Sequence, residues 1–207
     1  MPAMTMDRPP NVLEIFRDSV KPGREGEYRA AEEDAARACA EFHYPHAHLA
    51  LESLSGSREV WWLNGFDSEA EREEVTRAYE KNAPVVQALT DVSRRRKDLV
   101  GTPVDVLARH RQDLGGGGAW RVAGARFFVA SVTREKPRLA GAVFEAPDGT
   151  RYVLRPARTA AEAERLAAEA GSAAAVFAVR PYWGLPAREW IAADPEFWAA
   201  SPAARKK

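Results

Sequence analysis

The chain contains one cysteine, Cys39, four histidines and no net charge, its 30 Lys and Arg residues being matched by 30 Asp and Glu. A lone cysteine excludes a disulfide framework and a zinc-ribbon site. Balanced charge, with arginines scattered along the chain, argues against a nucleic-acid partner, which calls for a basic excess. No run approaches the roughly 18 apolar residues that a membrane-spanning helix needs. The start, Met1 to Asn11, is polar and proline-rich and has no apolar core, so no secretory signal is expected there. These absences leave a folded protein of the cytoplasm, with residues 1–10 expected to be disordered.

The chain does have 207 residues, 45% of them apolar and 9% aromatic, enough for a substantial core and too many for a disordered chain. Gly115-Gly116-Gly117-Gly118 is the clearest break. It lacks the Gly-Lys-Ser/Thr ending of a phosphate-binding loop and reads as a flexible joint. The expected division is a domain at 11–113, a glycine linker at 114–118 and a C-terminal α+β domain of unknown type at 119–207. The first part carries an acidic excess and the second a matching basic one, so two mutually attracting lobes are expected. No internal repeat is apparent in the residues.

In the first lobe, Val12 to Arg17 is a short apolar run ended by Lys21-Pro22-Gly23. From Arg24 to Phe42, Tyr28, Ala31, Ala35, Ala38 and Phe42 recur at helical spacing, with Cys39 beside them. Ala47 to Glu52 and Glu59 to Asn64, joined through Ser55-Gly56-Ser57, read as a hairpin. Asp67-Ser68 caps a helix reaching about Lys81, Pro84 opens another running to Arg96, and Val104 to Arg109 is a fourth strand. The second lobe offers strands near 126–132, 139–144, 151–155 and 174–179, and a helix from Thr159 to Gly171. Its tail, Trp183 to Trp198, is aromatic and expected to pack on the body.

The order β-α-β-β-α-β is ferredoxin-like. Two segments add to it: Val20-Lys21-Pro22-Gly23-Arg24-Glu25-Gly26-Glu27-Tyr28 and Trp62-Leu63-Asn64-Gly65-Phe66-Asp67-Ser68-Glu69-Ala70-Glu71. On these residues the region of about 11–112 resembles the dimeric α/β-barrel superfamily, which includes antibiotic-biosynthesis-monooxygenase-like and NIPSNAP-like proteins. The resemblance implies an α+β fold in which two subunits pack sheet against sheet as a homodimer. It also implies a ligand held beside the sheet or inside the barrel, and for some members oxidation of aromatic substrates by O₂ without a cofactor. Members that open haem use an Asn on strand one, a Trp after strand three and a His on the second long helix. Here Phe16 and Phe66 stand at the first two places and no His lies between Ala50 and Arg109. A haem-degrading role is therefore not expected, and no cofactor or metal is assigned.

Strand alternation sorts the candidate residues. Ala47, Leu49 and Leu51 share one face, expected to meet the helices. His46, His48, Ala50 and Glu52 share the other, which Trp62 and Asn64 join from strand three and Glu14 and Phe16 from strand one. Three readings compete for the histidines: a two-His, one-carboxylate metal set completed by Glu14 or Glu52, acid–base work by His48, or polar residues at a surface or dimer interface. Trp62 either walls an apolar pocket with Phe16 and Asn64 or is buried between subunits. Arg94-Arg95-Arg96-Lys97 reads as a solvated helix end, and His110 as exposed. The function expected is binding of a small, largely apolar molecule. Trp62 and Phe16 would hold its ring, Asn64 would orient an oxygen and His48 would move the proton, with Glu14, His46 and Glu52 alongside. The resemblance alone adds a cofactor-independent oxygenase- or isomerase-like step. The alternatives are a non-catalytic dimerisation protein and a mononuclear metal enzyme.

Overall fold

The computed structural model describes residues 8–55, 58–115 and 120–205. Most of the expected disordered N-terminus, the tip of the first hairpin and three of the four linker glycines lie outside the described residues.

The element order is β1 (Val12–Ser19), α1 (Glu25–Glu41), β2 (Leu49–Ser53), β3 (Glu59–Phe66), α2 (Glu69–Glu80), α3 (Ala83–Arg96) and β4 (Val104–His110). These are followed by β5 (Phe127–Thr133), β6 (Ala142–Glu145), β7 (Arg151–Ala157), α4 (Ala160–Ala170), β8 (Ala174–Val179), α5 (Arg188–Ala193) and α6 (Pro195–Trp198). Local chemistry sets the boundaries. The Ser68 hydroxyl accepts from the Glu71 N–H at 3.1 Å while the Glu71 carboxylate accepts from the Asp67 N–H at 2.6 Å, a reciprocal cap that starts α2. Thr159 and Glu162 cap α4 in the same way. Gly171 ends α4 at φ +84°, a backbone angle that a side chain would strain.

All eight strands join one closed barrel in the order β1-β3-β2-β8-β5-β7-β6-β4. The two halves meet at two antiparallel seams, Leu51 opposite Val179 between β2 and β8, and Arg109 opposite Glu145 between β4 and β6. Each half contributes four strands in the same sequence-relative order, 4-1-3-2. The repeat that the residues do not show is thus present in the topology. Its second copy lacks a helix between its first two strands.

The barrel interior is filled. Leu13, Ile15, Leu49, Leu51, Trp61 and Leu63 from the first half interlock with Phe128, Phe144, Leu154 and Phe177 from the second. Trp120, Trp190 and Trp198, from outside the strands, complete the cluster. Each such side chain contributes about 1.5–3 kcal/mol relative to exposure. This is a correction to the sequence reading, which set the Leu49 and Leu51 face against the helices. That face is the barrel lumen, and the face carrying His48, Trp62 and Asn64 meets the helices. Among the described residues, no helix is long and apolar enough to cross a membrane.

Candidate active site

The outward face of the first half is built by cross-strand register. Glu14 stands opposite Asn64 and Phe16 opposite Trp62 across β1 and β3, while Trp62 also faces Ala50 of β2. His48 precedes β2 and is held by its backbone, which exchanges hydrogen bonds of 2.9 and 3.1 Å with Leu185 of the tail. Gly184 lies so close there that a Cβ on it would sit 3.1 Å from the His48 carbonyl oxygen. Helices α1 and α3 cover this face, Tyr28, Ala31 and Val92 packing with Trp62 and Trp183. Trp62 is therefore buried by its own chain, not by a second subunit.

Sheet and helices leave a cavity of about 280 Å³ between them. Its walls are Phe16, His48, Trp62 and Asn64 from the sheet side, Glu32, Ala35, Ala36 and Cys39 from α1, Tyr44 from the following loop, and Tyr79 from α2. Leu89, Val92, Ser93 and Arg96 from α3 and Trp183 from the tail close it. Four of the seven residues expected from sequence, Phe16, His48, Trp62 and Asn64, thus line one space. The other three do not. Glu14 accepts from the Arg72 guanidinium at 3.1 and 3.2 Å. Glu52 is paired with Arg180 at 2.6 Å. His46 stacks on Phe66 at 4.4 Å and bonds the Gly65 carbonyl at 3.0 Å. Among the described residues, no group of three His, Cys, Asp or Glu side chains converges as a metal site.

The histidines are buried within the chain, at 4% and 8% exposure for His46 and His48, and not at its surface. Burial pushes both down to about 4, so both are neutral near pH 7. His48 meets Tyr44 edge-on at 5.8 Å, and Tyr44 leans on Tyr79 at 5.7 Å. His110 is half-buried against Phe144 and not exposed.

Residues that the sequence reading passed over supply the charge. Arg96, read there as part of a solvated run, reaches inward and lies 5.2 Å above the Trp62 ring. It pairs with Glu32 at 3.2 Å and with Asp18 at 3.4 Å, and the Tyr28 hydroxyl donates to Asp18 at 3.1 Å. Two buried carboxylates therefore share one guanidinium. Burial raises both, against the pull of Arg96, and Glu32 reaches about 7. A signal was available: Glu32 lies four residues after Tyr28, and Arg96 four after Val92, so each sits on the buried stripe of its helix.

Other hollows lie among the described residues. A groove of about 390 Å³ near Glu25 and Arg180 is polar, with Glu25 paired to Arg58 at 3.1 Å and Glu52 to Arg180. A smaller hollow of about 190 Å³ opens beside Arg17 and Trp61, with Arg17 paired to Glu59. The first cavity joins aromatic walls to strongly perturbed groups, Glu32 and His48 among them.

No family model matches the sequence, and no curated protein matches it. Among solved structures, the chain is similar to a candidate monooxygenase from Fusobacterium nucleatum, with a TM-score of 0.50 at 11% identity over 83% of this chain and 93% of that one. The fold is a mixed α/β one, like that of this solved structure in its architecture. A candidate chlorite dismutase (TM-score 0.48, 9% identity, 85% and 97% covered) is also similar. So is a candidate monooxygenase from Lactobacillus acidophilus (TM-score 0.44, 8% identity, 82% and 92% covered). At such identities the likeness concerns the architecture. In this chain a single polypeptide closes the α/β barrel.

Proposed function

We propose that the protein binds one small, planar, largely apolar molecule in the cavity between the first-half sheet and helices α1–α3, and that it turns this molecule over in a monooxygenase-like step without a cofactor. The observation that carries the reading is the convergence of Phe16, Trp62, Tyr44, Tyr79 and Trp183 around a space with His48, Asn64, Glu32 and Arg96 at its edge. A space of about 280 Å³ suits a molecule of two or three fused rings. Aromatic walls favour a flat ring by stacking, and a few placed polar groups orient it. The solved structure from Fusobacterium nucleatum, a candidate monooxygenase, supports the oxygenase reading by analogy of fold.

Neutral His48, whose ring is held by the His46 and Trp183 backbones, edges the cavity, and the amide of Asn64 orients a ligand oxygen. The expected result is oxygen uptake with planar phenols that His48→Ala lowers by about 10²-fold or more while the fold is kept. Unchanged uptake in that variant removes His48 from the mechanism. No saturable binding of any planar aromatic ligand to the wild type removes the reading itself.

A further inference from the structure

We propose that Glu32 is the proton acceptor of the cavity and that its ligands are hydroxylated aromatics or enols, which it ionises while Arg96 holds the resulting oxyanion. This inference rests on the cavity being the ligand site. It goes further by naming the ionisable group the ligand must carry and the destination of the proton.

The arrangement carries the argument. Glu32 is 2% exposed and lines the cavity together with Arg96. Arg96 divides one positive charge between Glu32 at 3.2 Å and Asp18 at 3.4 Å, so with both carboxyls ionised the cluster holds one uncompensated negative charge. The Tyr28 hydroxyl lies against both carboxyls and donates to Asp18 at 3.1 Å, and of the two carboxyls it is Glu32 that lines the cavity wall. The groups facing Glu32 are Arg96 from α3, Asp18 from β1, and Tyr28 and Cys39 from its own helix. Burial puts the Cys39 thiol up at about 12 and moves the Tyr28 phenol upward as well, so neither competes as a base near neutral pH. His48 stays neutral and, at about 4, is the weaker proton acceptor.

In the transfer the ligand O–H bond breaks, the proton passes to a Glu32 carboxylate oxygen, and the electron pair remains on the ligand oxygen. Arg96 exchanges one anionic partner, Glu32, for another, the oxyanion, and keeps Asp18. The buried charge is the same before and after, so the step carries no added cost of burying an ion. The ring of the bound molecule meets Trp62, over which Arg96 already lies.

The test uses 2-naphthol, whose neutral and anionic forms have separate absorption bands and whose hydroxyl is still protonated in solution near pH 8, where Glu32 is mostly ionised. Calorimetry in two buffers of different protonation enthalpy counts the protons exchanged. In the wild type the naphthol is expected to bind as its anion without delivering its proton to solvent. A protonated-carboxyl band is expected to appear in the infrared difference spectrum. Glu32→Gln is expected to bind the anion with release of the naphthol's proton and without that band. Binding of the neutral naphthol, or equal proton release in both proteins, overturns the proposal and leaves the binding site standing. Failure of the naphthol to bind the wild type overturns the site and this inference with it. Should Glu32→Gln not fold, the wild-type infrared spectrum decides alone, since absence of the band when the anion is bound contradicts Glu32 as the acceptor.

Discussion

The two halves of this barrel repeat one strand order and treat their outer faces in opposite ways. On the second half, Val129, Val143, Val153 and Val176 meet Ala163, Leu166 and Ala170 of α4 in a largely aliphatic contact. On the first half, the equivalent face presents Glu14, Phe16, Asp18, Trp62 and Asn64, and the helices and loop above it bring Glu32, Arg96, Tyr44 and Tyr79 around a cavity. Small aliphatic side chains interlock closely, whereas large rings and buried charges that must be paired hold the layers apart. The same topology thus provides an aliphatic wall on one side and a cavity on the other. The tail also reaches the first half, where Trp183 packs edge-on against Tyr28 at 6.3 Å.

The largest expected effect separates the two faces by truncation. Leu166→Ala on the packed face is expected to cost about 3 kcal/mol, whereas Val92→Ala, which borders existing space, is expected to cost about 1 kcal/mol. Equal losses in denaturant unfolding would mean that the faces are packed alike.

Acid is the next probe, because the buried titratable groups are concentrated on the first half. His46 and His48 fall to about 4 in the fold from 6.5, so the unfolded chain binds more protons between those values and stability is lost as pH falls through that window. Each contributes at most about 3 kcal/mol. Glu32 is raised from 4.5 to about 7 and acts in the opposite sense, its contribution being lost as pH rises through that range. The expected net loss on acidification from about pH 6.5 to about pH 4.5 is about 2 kcal/mol, and replacing both histidines by Gln is expected to reverse the slope. A wild-type stability that rises on acidification would contradict the burial of neutral histidines.

The smallest expected effect is on filling space. Ala36→Leu, which projects into the cavity, is expected to change stability by less than about 1 kcal/mol, while Ala163→Leu on the packed face should cost about 1–3 kcal/mol. Thermal unfolding of the pair checks the difference.

Much of this architecture was legible in the residues, because alternation and capping are local. The strands near Val12, Leu49, Glu59 and Val104 and the caps at Ser68 and Thr159 follow from period and from hydroxyl–amide chemistry. Alternation also grouped Phe16, Trp62, Asn64 and His48 on one side. It cannot say which side, since a barrel strand is buried on both faces and Leu49 is as well covered by the lumen as it would be by a helix. The role of Arg96 escaped because it lies in a run of four cations, of which Arg94 and Arg95 are indeed exposed. Closure of the barrel within one chain depends on the pairing of β2 with β8 and β4 with β6, contacts between residues far apart that no local pattern marks.

The central claim is that the first-half cavity, and not the barrel or its surface, receives the ligand. The most direct test is a titration of wild type and Ala36→Leu with 7-hydroxycoumarin, followed by quenching of tryptophan fluorescence. The account predicts saturation at one dye per chain in the wild type and loss of that binding by at least tenfold in Ala36→Leu, whose fold is kept. Equal binding by both proteins would place the ligand elsewhere and contradict it.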